Sequence, residues 1–176
     1  MTLEKFQPKV CSCCGQTEEY LMTIDVGTCD ILRAISAAIR RKGENCIHPK
    51  EDGMEIGKQQ MKSMGYDRMV KEGYLTSTMI GNLSKARSQG LIAQVVGKTG
   101  YYCLTKKGAG FLKGEPIPKY AVMNKVTGHQ TGYWHEYDAQ VKLKDLIKDG
   151  EYWEIDFNIL DRAVIFNLPK TLAFNF

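Results

Sequence analysis

Long apolar runs are missing from this chain of 176 residues. No segment approaches the roughly 18 apolar residues of a membrane span, and the amino terminus lacks the basic-then-apolar pattern of a secretory leader. A cytoplasmic protein that does not engage a membrane is expected. Missing too are the short motifs of common catalysis: no G-x-x-x-x-G-K-[ST], no G-x-G-x-x-G after a strand, no H-E-x-x-H and no G-x-S-x-G. The histidines are His48, His129 and His135, and they sit in no nucleophile or nuclease pattern. His129 and His135, with Glu136 and Asp138, flank a glycine turn that gives them no fixed geometry, so they read as a polar turn. The expectation is a protein that is not an enzyme.

Acidic residues are absent from one long stretch. From Thr76 to Gly114 there is no Asp or Glu, against six bases: Lys85, Arg87, Lys98, Lys106, Lys107 and Lys113. At the average acid content of the chain this stretch would carry roughly four, so their absence suits a surface that faces phosphate. The net charge of +4 is modest, and its distribution matters more. Glu136, Asp138, Asp145, Asp149, Glu151, Glu154, Asp156 and Asp161 gather toward the other end, which separates a basic functional half from a half that does not bind nucleic acid.

Within that basic stretch, Thr76 or Ser77 can cap a helix running to Gln89. Met79, Ile80, Leu83 and Ala86 recur at helical spacing and should pack inward, leaving Asn82, Ser84, Lys85 and Ser88 outward. Arg87 falls near the buried edge by the same count. Gly90 stops the helix. Leu91 to Val96 and Tyr101 to Thr105 then read as strands joined by the turn G-K-T-G, with Lys98 at its tip. L-T-K-K-G-A-G-F-L-K-G leads into a short helix buried through Ala109, Phe111 and Leu112.

This order resembles the winged helix-turn-helix family, on the strength of G-L-I (Gly90 to Ile92), the hairpin, and Y-C-L-T-K-K-G-A-G-F-L (Tyr102 to Leu112). The resemblance implies that the helix before G-L-I is a recognition helix, with Asn82, Ser84, Lys85, Arg87 and Ser88 toward a major groove. It implies a wing with Lys98 at its tip, and Lys106 and Lys107 join the expected DNA-binding residues. Double-stranded DNA is the expected partner, for a transcriptional regulator or an accessory factor of replication or of a mobile element. The alternative is a protein-protein interaction module that uses the same elements to engage a polymerase or another partner.

Six cysteines in a reducing compartment point to ligands or buried thiols before disulfides. Cys11 and Cys14 form a C-x-x-C-G that resembles a zinc knuckle, a tight turn that aims two thiolates at one ion, with glycine allowing a positive φ. Zinc is the expected ion. Cys46 and His48 are the first choice for the second pair. Cys29 as a third ligand, Cys13 as a first one, and His129 with His135 stay open. Four protein ligands would make the site structural.

The fold class expected is α+β, in three parts: a knuckle-like hairpin at 1–27, a winged helix domain at 28–114 and a β-rich subdomain at 115–176. In the first part, E-E-Y-L-M-T-I-D reads as a strand pairing with residues 5–11. Thr28 caps the first core helix, in which Ile31, Leu32, Ile35, Ala38 and Ile39 form a stripe and Gly43 is the stop. Residues 44–53 read as an inserted loop, residues 54–71 as helix broken near Gly65, and E-P-I-P-K as a rigid linker. Residues 120–125 and Y-W-H-E-Y read as strands, and 139–148 as a short helix. From Trp153 to Phe176 apolar and polar residues alternate, with Phe157 and Phe166 on the apolar face. That antiparallel extension either packs on the winged domain or closes a homodimer.

Overall fold

In the computed structural model, residues 6–53, 58–128, 130–134 and 139–147 are described, and they form a mixed α and β architecture. The expected helical segment at 54–57, the histidines at 129 and 135, and the alternating stretch from Trp153 onward lie outside the described residues.

The core is built on one helix, α1 (Val26–Lys42). Its stripe is the one the sequence announces: Ile31, Leu32, Ile35 and Ala38 are fully buried and Ile39 nearly so. Each of the Ile and Leu side chains removed from water contributes about 1.5–3 kcal/mol. The cap is not Thr28. Asp25 holds the N-cap position and its carboxylate accepts the Thr28 N–H at 2.8 Å. The helix therefore starts earlier, because a carboxylate facing free amide groups is the better acceptor. Gly43 ends it at φ 68°.

Against α1 packs α3 (Tyr66–Glu72), and against α3 packs α2 (Lys58–Met64), the two separated at Gly65 as expected. After α3 the chain must pass α1 at very close range, and Gly73 makes that possible. Its φ is +80°, and a Cβ placed there would lie 2.2 Å from the Ala38 backbone nitrogen. Next come α4 (Ser77–Gly81) and α5 (Leu83–Ser88), divided at Asn82 where one longer helix was expected. Thr76 caps α4, accepting the Met79 N–H. A hairpin follows, β2 (Ile92–Gln94) with β3 (Tyr102–Leu104), pairing Ile92 with Leu104 and Gln94 with Tyr102. α6 (Lys106–Leu112) closes this part, burying Ala109, Phe111 and Leu112.

Residues 44–53 are not a free insertion. Ile47 is fully buried and exchanges two backbone hydrogen bonds with Tyr102, at 2.9 and 2.8 Å. One apolar residue in a polar segment is enough to dock it on β3, because its backbone groups are satisfied there.

The first and last parts of the described chain also share a sheet. β1 (Glu19–Thr23) pairs antiparallel with β5 (Tyr120–Asn124), and β5 pairs with β6 (Gln130–Trp134). The expected partner of β1, residues 5–11, contributes a single bridge between Val10 and Thr17. The E-P-I-P-K segment is more than a linker: β4 (Ile117–Pro118) pairs with β7 (Gln140–Val141). Residues 139–148 accordingly give β7 and then a single turn, α7 (Leu143–Leu146), instead of one helix. Ile117, Val141, Leu143 and Ile147 join the same buried cluster as α1.

Candidate functional site

Two regions concentrate chemistry-bearing side chains. The first is the basic surface of α4, α5, the β2–β3 hairpin and α6. α4 and α5 turn Met79, Leu83 and Ala86 inward. Ser77, Thr78, Gly81, Ser84 and Arg87 are exposed, while Ser88 is half-buried. Arg87 is thus outside the core, contrary to its expected place near the buried edge. Lys98 is exposed at the hairpin tip, 5.4 Å from the Tyr101 ring centre, in cation–π range. Lys106 is exposed on the first turn of α6.

Three of the expected contacts are engaged within the chain. The Lys85 ammonium lies 2.7 Å from the Asp25 carboxylate and so ties α5 to the cap of α1. Lys107 donates to the Gln89 carbonyl at 2.8 Å. Asn82 is half-buried, its side-chain amide set so close to Gly27 that a Cβ on that glycine would lie 2.8 Å from Nδ2. Asp25 binds both Lys85 and the start of α1, so its charge is balanced where it meets α5. Burial works to raise its pKa, and the hydrogen bonds from Lys85 and Thr28 outweigh that and lower it.

The second region is the turn Cys11–Gln16. The Cys11 N–H donates to Gln16 O at 2.8 Å and the Gly15 N–H to Cys11 O at 2.9 Å, with Gly15 at φ 71°. The turn gathers three thiols, Cys11, Cys13 and Cys14, with sulfurs all within 4.8 Å of one another. These three can hold a metal ion. Cys11 and Cys13 share a hydrogen bond at 2.8 Å. As its first effect that bond lowers the Cys11 pKa and raises that of Cys13. The two shifts are opposite in direction because the shared hydrogen bond favours the thiolate at one sulfur and the thiol at the other.

Cys46 and His48 do not join this group. They flank Ile47 on the segment paired with β3. His48 packs edge-on against Tyr101, ring centres 5.3 Å apart, and its Nδ1 accepts the Glu51 N–H. The register carried by Ile47 and Tyr102 sets Cys46 across from Cys103, whose thiol pKa is raised first by burial and then by the neighbouring Cys46. Cys29 is buried in α1. Of the expected ligand set of Cys11, Cys14, Cys46 and His48, the first two lie in this group together with Cys13, and Cys46 and His48 lie outside it. C-S-C-C itself carried the signal for Cys13, since a turn that aims the first and fourth thiols also brings the third near.

Comparison of the chain with the patterns of known families, with curated proteins and with solved structures gave no match. No helix among the described residues is long and apolar enough to cross a membrane. Function has to be argued from these two regions.

Proposed function

We propose that the protein binds double-stranded DNA through a winged helix-turn-helix surface, as a regulator of transcription or an accessory factor of replication or of a mobile element. In this reading α4 and α5 enter the major groove and the β2–β3 turn acts as the wing. Its main support is the surface itself, where Arg87, Lys98, Lys106 and Lys113 are exposed within a stretch that holds no acid. Small side chains on the exposed side of the helix pair, Ser77, Thr78, Gly81 and Ser84, allow a close approach to a phosphate backbone and offer hydroxyl donors. The element order supports it further: α1, the Ile47 bridge, α3, α4 with α5, then the hairpin. In this reading Lys85, paired with Asp25, positions α5, and the phosphate contacts fall to the other bases. The test is titration of a fluorescent random duplex at several salt concentrations. A steep linear fall of log affinity with log salt is expected, and absence of binding at low salt would overturn the proposal.

For the Cys11–Gln16 turn the proposed ion is zinc. A C-x-x-C-G turn with glycine at positive φ suits the tetrahedral angles of thiolate-bound zinc.

A further inference from the structure

The three thiols of the Cys11–Gln16 turn are the whole ligand set that the described residues offer. No fourth His, Cys, Asp or Glu among them has a ligand atom within 4.8 Å of all three sulfurs. Glu18, whose charge acts on Cys13, is paired with the Lys9 ammonium at 3.6 Å. Cys13 and Cys14 are exposed and Cys11 is half-buried. Among the described residues, an ion held here has three ligands, all from the turn and two of them exposed.

We propose that the metal centre on this turn is coordinatively open: three thiolates from Cys11, Cys13 and Cys14, and a fourth position filled by an exchangeable neutral donor from outside the turn. The proposal rests on the reading that the turn binds zinc. Metal–sulfur bonds of about 2.3 Å in tetrahedral array place the sulfurs about 3.8 Å apart. The Cys11–Cys13 separation of 2.8 Å must then open by about 1 Å, which the exposed Cys13 side chain can do by rotation. Three thiolates on a divalent ion leave a net charge of −1. Water or an imidazole nitrogen fills the fourth position without adding charge, whereas a fourth thiolate, as in a closed four-cysteine site, would take it to −2. Closed structural zinc sites use four protein ligands, and a three-ligand site keeps a place for another molecule. This turn belongs to the second kind.

Cobalt(II) is the probe, added to the reduced full chain without oxygen, with imidazole as the incoming donor. Sulfur-to-cobalt charge-transfer absorption reports the number of thiolates, and the visible bands of the ion report its fourth ligand. The expected wild-type spectrum shows both, and imidazole shifts the visible bands saturably while the charge-transfer intensity stays. Cys13→Ser should remove about one third of that intensity, and Cys46→Ser should remove none. Absence of charge-transfer absorption would overturn the metal reading and the open site together. Charge transfer with visible bands unmoved by imidazole, or a loss of intensity in Cys46→Ser, would overturn the open site alone.

Discussion

Lys85 and Asp25 stand sixty positions apart in the chain and 2.7 Å apart in the fold. The pair links α5 to the N-cap of α1, so the helix proposed to meet DNA is held by the same carboxylate that starts the core helix.

Both side chains of this pair are substantially exposed, at 40% and 44%. Its contribution to stability should be at most about 1 kcal/mol, as for other surface pairs. Lys85→Ala is expected to lower stability by up to that amount near neutral pH. The folded pKa of Asp25 is depressed, so the contribution is present above the unfolded carboxylate value of about 3.9 and lost as pH falls through the lower folded value. Urea unfolding of wild type and Lys85→Ala across that window checks this. A difference that grows on acidification would contradict it.

A second prediction concerns Asp30, which sits on α1 between Tyr66 and Arg33. The Tyr66 hydroxyl donates to Asp30 at 2.7 Å, and Arg33 approaches its other oxygen at 3.3 Å. Burial first, and then the bond to Asp30, raises the Tyr66 pKa. Arg33 and Asp30 are nearly out of water, at 5% and 11% side-chain exposure. Arg33→Met should then cost about 3–5 kcal/mol, because it leaves a carboxylate with too little compensation. Tyr66→Phe should cost about 1 kcal/mol. Denaturant midpoints of the two variants measure the order, and equal small losses would refute it.

The cysteines should also differ in reactivity. Cys11 is accessible and its pKa is lowered, first by the hydrogen bond with Cys13. Cys29 is pushed up to about 12, chiefly by burial and then by the Asp30 charge. Burial also raises Cys103. In metal-free protein at about pH 8, iodoacetamide should modify Cys11 ahead of the buried pair, which react only on unfolding. Peptide mass spectrometry over time reads this out, and Cys29 labelling at the rate of Cys11 would count against it.

Local chemistry carried much of this fold in the sequence. Ile31 to Ile39 announce α1 by periodicity. Gly65 and Gly43 mark breaks that need a left-handed backbone or a free end. G-K-T-G joins the two strands of the hairpin. What stayed hidden depends on partners far along the chain. Nothing near Glu19–Thr23 indicates that Tyr120–Asn124 is its neighbour, and nothing near Ile47 indicates Tyr102. At the site, the absence of acids from Thr76 to Gly114 was legible, but the engagement of Lys85 and Lys107 within the fold was not. Lys85 reads as outward from helical spacing, and its engagement depends on where the loop before α1 leaves Asp25. Cys13 lay within a visible motif, whereas Cys46 and His48 attracted a ligand role only because residue types were known and positions were not.

The most direct measurement for the account is a fluorescence titration of random duplex DNA at two salt concentrations. It compares Arg87→Ala, Lys98→Ala and Lys85→Ala with wild type, each first shown to be folded. Arg87 and Lys98 are exposed, so each substitution should weaken binding on all sequences alike and reduce the salt slope by about one. Lys85→Ala should leave the slope close to wild type, because its ammonium pairs with Asp25, while the carboxylate it uncovers lowers the affinity itself by electrostatic repulsion. Wild-type affinity and slope retained in both Arg87→Ala and Lys98→Ala would contradict the proposed surface.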